Sequence, residues 1–290
     1  MQPVAHSINK RESAGAMLRT WRKLHRISQL DLALEVGISS RHLSFVETGR
    51  SQPSRSLVLR IAHSLKLPLR HRNAFLKAAG YASEFGEAPF DGEKMDVIRQ
   101  ALRRILENHE PYPAFVVDPA YNFIMKNSSF ERILKFFIGE KAFKQYDNAY
   151  RMTFAEDGLR PYIQDWPTIA QFMLTRLWEE AVSTQNARLM ALYAEISPSR
   201  EPRAPLPALM PMEPHLPIMS LTLVKHSIKA SLFTTITTFG TPLDVTAQEL
   251  RIESFFPADE ETKQMLWWDP CATETAPVRE RRGRGSAPIR

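Results

Sequence analysis

A capped helix, a single glycine and a second short helix leave a chain few ways to fold, and residues 28–49, SQLDLALEVGISSRHLSFVETG, read that way. Ser28 and Asp31 form an S-x-x-D capping box at the start of the first helix, the hydroxyl covering a backbone N–H that has no partner within the helix. Gly37 ends it, because a residue without Cβ enters the left-handed conformation of a helix C-terminus at least cost. Ile38 and Ser39 make the turn, and the spacing predicts a second helix from Ser40 to Thr48, stopped by Gly49. A corner of this kind brings two helices near a right angle, with Leu32, Ala33, Ile38, Leu43 and Val46 as the buried contact. The second helix is left standing proud of the surface.

Three more helices are predicted around this pair. Ala14 to His25 carries Met17, Leu18, Trp21 and Leu24 on one apolar stripe; Pro53 and Ser54 open a helix with Leu57, Ile61 and Leu65; Pro68 introduces one reaching Ala79. At 100° per residue, with Leu43 and Val46 turned inward, the outer face of the Ser40–Thr48 helix holds Arg41, Ser44, Phe45 and Thr48, and no acid. Glu47 falls on the core edge, as a structural hydrogen-bond partner.

The charge is divided along the chain. Residues 1–83 hold fourteen Lys and Arg against four Asp and Glu, a net of +10, whereas residues 84–270 come to −7 and residues 271–290 to +3. A basic head on an acidic body points to a polyanion as partner of the head alone. If that partner is double-stranded DNA, Arg41 suits a bidentate guanine contact, Ser44 suits several bases, and Phe45 either touches a thymine methyl or packs against the linker. Gln29, Ser39 and Ser40, at helix starts, and Arg50 and Arg55 suit phosphates.

The Ser28–Ser54 segment resembles the Cro and lambda-repressor type of helix-turn-helix, the XRE family. That resemblance implies a transcriptional regulator binding duplex DNA, with Gln29 at a phosphate; because one such module buries little surface, a homodimer on a two-fold operator is expected.

Beyond Ala82 the text changes. ASEFGEAPFDG has two glycines, a proline and no periodicity, and is taken as a linker over 83–93. A helix is predicted over Met95–Asn108, and PAFVVDPAYNFIMKN at 113–127 reads as a β-hairpin. A helix follows with Phe130, Ile133, Leu134 and Phe137 on one face, then helices over Pro167–Ala181 and Gln185–Ile196. The proline-dense stretch Pro198–Pro217 excludes a regular helix. Ile218–Val224, Ala230–Thr238 and Leu250–Phe256 read as strands of an antiparallel sheet. The polar residues from Asp269 on are taken as a disordered tail, in which Arg279 to Arg284 add basic charge. The expected fold class is therefore α+β: an all-α five-helix head over 1–82, the linker, an α+β domain over 94–268 and a tail over 269–290.

The second domain looks like the ligand-binding domain of MmyB-type regulators, a PAS-like sheet with helices. The resemblance is carried by Pro113–Asn127, NAYRMTF at 148–154 and LRPYIQDWPTIAQFMLTRLWEEA at 159–181, with the long proline loop as a departure. It implies a pocket for a fatty-acid-like or other apolar small molecule. Phe115, Phe123, Met125, Phe130, Phe154, Trp166, Phe172, Met173 and Trp178 are candidates to line it, and plain core is the competing use for each. Arg151 or Arg176 could meet a carboxylate or make a surface ion pair. Asn127 suits a helix cap.

The alternatives are a helical protein-interaction scaffold, or an enzyme with a DNA-targeting head. Against catalysis, the chain has no H-E-x-x-H, no Walker loop, no G-x-S-x-G and no cysteine pair for zinc, and His109, His215 and His226 lack metal spacing. No catalytic residue, metal or cofactor is expected. A lone cysteine, Cys271, and the want of an apolar run of roughly 18 residues suggest a cytoplasmic protein that does not span a membrane.

Overall fold

A computed structural model describes residues 13–197 and 220–267. The proline-dense stretch, Ile218, His215, Cys271 and the basic tail lie outside the described residues.

Five helices open the chain: α1 (Ala14–Leu24), α2 (Gln29–Glu35), α3 (Ser40–Glu47), α4 (Arg55–Ser64) and α5 (Leu69–Ala78). The first four each begin on a serine, Ser13, Ser28, Ser39 and Ser54, whose side chain accepts a backbone N–H three residues on. Each such cap is worth about 1 kcal/mol, and four in sequence fix where the turns fall. Gly37 and Gly49 end α2 and α3 at φ of +71° and +73°. Leu18, Trp21, Leu32, Leu43, Val46, Ile61 and Phe75 form a core of their own. Gly15, inside α1, lies where a Cβ would stand 2.4 Å from the Val46 carbonyl oxygen, so α1 and the end of α3 touch backbone to backbone.

After α6 (Asp96–Asn108) come the hairpin β1 (Ala114–Val117) and β2 (Phe123–Lys126) and helices α7 (Ser128–Gln145), α8 (Ala149–Phe154), α9 (Trp166–Thr184) and α10 (Ala187–Ile196). Then follow β3 (Leu221–Lys225), β4 (Ile228–Thr237), α11 (Val245–Glu249), β5 (Arg251–Pro257) and α12 (Glu260–Trp267). The strands make one antiparallel sheet in the order β2-β1-β5-β4-β3. The fold is α+β, a helical head followed by a curled antiparallel sheet packed with helices.

Alternation along the strands gives the sheet two apolar faces. Ala114, Val116 and Ile252 meet Leu102 and Leu106 of α6, while Phe115, Val117, Leu223, Ala230 and Leu232 face α7, α8 and α9. Asn127 caps α7, accepting from Phe130 N at 2.9 Å, and ties it to the hairpin by accepting from Ala114 N at 3.0 Å.

The segment expected as a linker is bonded on both sides. Glu84 N and Phe85 N donate to Asn73 Oδ1 of α5, at 3.0 and 3.1 Å, and Val245 N donates to Gly86 O at 2.8 Å. Beside it, α5 meets α11 directly: Leu69 N donates to Gln248 Oε1 at 2.7 Å, and Arg70 pairs with both Glu249 oxygens at 2.7 and 2.8 Å.

Candidate nucleic-acid interface and ligand cavity

The corner between α2 and α3 is held from beneath by a charged cluster. Arg22 of α1 donates from Nε and Nη2 to the two Glu47 oxygens, at 2.6 and 3.0 Å, and Gln29 Nε2 donates to Glu47 Oε2 at 2.7 Å. The Glu47 side chain is 2% exposed. Burial alone would push its carboxyl up, but the hydrogen bonds from Arg22 and Gln29, with the charges of Arg22 and Arg19, hold it below the ordinary carboxylate value. Three helices are thereby locked at one point. The Gln29 amide, expected at a phosphate, gives one N–H to this cluster, because Glu47 needs a second donor once buried, and keeps the other.

On the outer face of α3, Arg41 and Thr48 are exposed and Ser44 and Phe45 half-buried. The Phe45 ring lies near two cations, with the Arg41 guanidinium carbon 5.4 Å and the Arg50 carbon 6.0 Å from its centroid. Neither arginine has a carboxylate partner among the described residues. Phe45 therefore packs on Arg41 of its own helix and on Arg50 beyond the Gly49 turn. Ser39 spends its acceptor on His42 N, and Ser40 lies exposed beside it at the start of α3. Thr48 Oγ1 donates back to Ser44 O at 2.8 Å, so its hydroxyl has no proton to offer a base in this rotamer. Arg55 pairs with Glu84 across an exposed contact, of the kind worth about 0–1 kcal/mol and readily exchanged for a phosphate.

The second domain holds an open-mouthed cavity of about 450 Å³ between the sheet and α7, α8 and α9. Its wall is mostly aliphatic and aromatic, from Phe130 and Leu134 to Leu223 and Phe255. Of the candidates read from the sequence, Phe115, Phe130, Phe172, Met173 and Arg176 line it. The others do not. Phe123 packs edge-on against Phe115 at 5.2 Å, behind the wall, and Phe154 and Trp166 pack on each other at 4.9 Å. Trp178 packs on Tyr193. Met125 is on the opposite face, beside Leu102 and Leu106, because the β1–β2 register shifts between Val116 and Val117. That bulge adds a residue to β2 and breaks the alternation that would have kept Met125 on Phe123's side.

Polar groups gather at one end. Arg176 stands 3.7 Å from Glu253 and makes no hydrogen bond among the described residues, whereas Arg151 is paired with Glu195 outside the cavity. Burial pushes the Glu253 carboxyl above its ordinary value, against the pull of Arg176 and Arg251. Behind this pair, Tyr121 donates from its hydroxyl to Glu180 Oε2 at 2.7 Å, and Glu180 also pairs with Arg251. Burial and the Glu180 charge push the Tyr121 phenol up to about 12. This network was not legible in the sequence: Tyr121 and Glu180 are 59 residues apart, and neither falls in a recognisable spacing.

Of the histidines weighed as metal ligands, His109 lies against the Phe255 carbonyl and Phe256 ring, and His226 sits in the β3–β4 turn. Among the described residues no cluster suits a metal ion, and no helix is long and apolar enough to cross a membrane.

Comparison with known proteins agrees with this division. A helix-turn-helix family matches residues 18–71, and the family described as "MmyB-like transcription regulator ligand binding domain" matches residues 98–267. Proteins called uncharacterized HTH-type transcriptional regulators, from Mycobacterium bovis and from two strains of Mycobacterium tuberculosis, are 39% identical over 69 residues, or 24% of this chain. The chain spans 27% of the length of these relatives. Among solved structures, the clp gene regulator ClgR from Corynebacterium glutamicum covers 35% of the chain and 94% of its own length, at 27% identity and a TM-score of 0.21. An RNA-binding light-oxygen-voltage receptor covers 88% of the chain and 61% of its own length, at 12% identity and a TM-score of 0.25. Both scores are too low to bear on the fold. With a DNA-binding helix-turn-helix at one end and a ligand-binding domain matched over more than half its length, the chain belongs to the MmyB-like family of transcription regulators.

Proposed function

We propose that the chain is a sequence-specific regulator that binds a two-fold operator as a homodimer, with a fatty-acid-like molecule in the C-terminal cavity altering its affinity for DNA. The head over 1–82 supplies the contacts: Arg41, Ser44 and Phe45 at base edges, with Thr48 there as an acceptor, and Ser39, Ser40, Arg50 and Arg55 nearer the phosphates. One such module buries only roughly 600–1,000 Å² on a duplex, so two half-sites are needed for discrimination. The body over 94–268 takes the ligand.

One observation carries the ligand reading. Arg176 is a cation in an apolar cavity, bonded to nothing better than a carboxylate 3.7 Å away. A ligand carboxylate closing on it would make the charge-assisted pair the protein leaves open, while an alkyl chain fills a volume within the usual range for small-molecule sites. The same end of the cavity leads toward the head. Glu253 lies on β5, which follows α11 and its bonds to Leu69 and Arg70 of α5. His71, next in α5, stacks edge-on against Trp21 of the head's core at 4.6 Å. A change at Arg176 and Glu253 thus has a packed path to the helix-turn-helix.

Small molecules extracted from the purified full chain and identified by mass spectrometry test the ligand class. A long-chain acid, depleted in Arg176→Gln, supports it. A chain that carries none, and whose DNA affinity is unchanged by added palmitate, contradicts it.

A further inference from the structure

The Arg41–Phe45–Arg50 stack on α3 has an order that no single contact explains. Two guanidinium groups, neither with a carboxylate partner among the described residues, lie 5.4 and 6.0 Å from the centre of one half-buried ring, although each repels the other. The ring's quadrupole offsets that repulsion. The Arg50 main chain is tied to the same residue, since its backbone N donates to Phe45 O at 2.8 Å across the Gly49 turn. The ring therefore sets where both guanidiniums stand before any partner arrives.

We infer that Arg41 and Phe45 read one dinucleotide step together, a thymine followed on the same strand by a guanine, and that Phe45 is the positioning residue of the pair. The inference rests on the groove-facing reading of α3 given above. A guanidinium bonded to guanine O6 and N7 lies in the plane of that base. A ring stacked on the guanidinium face is consequently displaced to the level of the neighbouring base pair. There the thymine C5-methyl is the one apolar group the major groove offers. In a right-handed duplex the methyl of a pyrimidine 5′ of guanine projects toward the guanine N7 edge, where the ring lies. Arg50, past the end of α3, is left for the phosphate chain.

Selection of random duplexes by the full chain tests this, followed by titration of the enriched site with each thymine replaced by deoxyuridine, which removes the methyl and nothing else. The expected result is a TG step in each half-site and binding weakened about four-fold per half-site by uracil, the worth of one buried methyl group. In Phe45→Ala the uracil penalty vanishes and discrimination at the guanine relaxes. Phe45→Leu, which keeps an apolar side chain, keeps the uracil penalty but also loses guanine discrimination, since the stacking surface for Arg41 is gone. Enriched sites without TG, or equal affinity for thymine and uracil duplexes, overturn the inference and leave the regulator reading standing. Enrichment of no duplex at all overturns both.

Discussion

The head and the body use their interiors in opposite ways. In the head the core is filled by packing, with Leu18, Leu32, Leu43 and Ile61 at 1% exposure or less, and the working surface is the outside of one helix. In the body the sheet and α7–α9 stop short of filling the space between them, and about 450 Å³ remains as the working surface. A rigid frame holds an outward face in register with a regular partner such as a duplex. A cavity needs a frame that tolerates a missing centre, which the sheet supplies because its own hydrogen bonds do not depend on what fills the space above it.

Breaking the frame of the head should have the largest effect. Glu47→Ala leaves Arg22 buried without its carboxylate, and a broken buried pair costs about 3–5 kcal/mol. Denaturant unfolding should show that loss, with loss of DNA binding at the temperature where the head melts. The Glu47 carboxyl is lowered in the folded state, so its contribution is complete above the unfolded value near 4.5 and is lost as pH falls through the lower native value. Glu47→Gln should accordingly flatten the acid limb of the head's stability, read by hydrogen exchange across α1–α3.

The contrast in packing is sharpened by one substitution made twice. Leu43→Phe overfills the head's core and should destabilise it by about 1–3 kcal/mol. Leu223→Phe enters the cavity from β3 and should stabilise the body by about 0.5–2 kcal/mol while reducing the small molecule recovered from the purified protein. Equal destabilisation at both positions would mean that the cavity is not open space for a ligand.

The smallest effect expected is electrostatic and of opposite sign to that of Glu47. The Glu253 carboxyl is raised by burial, so folding favours its protonated form: the favourable contribution is complete below about 4.5 and is lost as pH rises through the raised native value. Glu253→Gln should therefore stabilise the body at pH 7–8 relative to wild type, with a difference that shrinks as the pH falls. Thermal unfolding at several pH values reads it.

The same contrast decides what could be read from sequence. Every helix of the head announces itself locally, by a serine at its start or a glycine after its end, and the outer face of α3 follows from 100° per residue. What escaped is what pairs at a distance: Gly15 against Val46, and Arg22 reaching Glu47. In the body the hairpin, the α7 face and the three later strands were legible as patterns, but α8, α11 and α12 were not anticipated as helices. The cavity's wall was legible only in part, since Phe115, Phe172, Met173 and Arg176 line it while Phe123, Met125, Phe154 and Trp166 do not. An aromatic residue has the same signature whether it borders empty space or fills it. A single register shift in β1–β2 was enough to move Met125 to the other face.

The reading as a whole turns on α3 offering its free arginines to a duplex. Binding of the purified full chain to a fragment carrying its own promoter, titrated at several salt concentrations, measures this. The expected affinity falls log-linearly with salt, in proportion to the phosphates neutralised, and Arg41→Ala lowers specific binding by about 1–3 kcal/mol at one base position while leaving that salt slope in place. Retardation of no fragment even at low ionic strength, or an Arg41→Ala footprint identical to wild type, would contradict it.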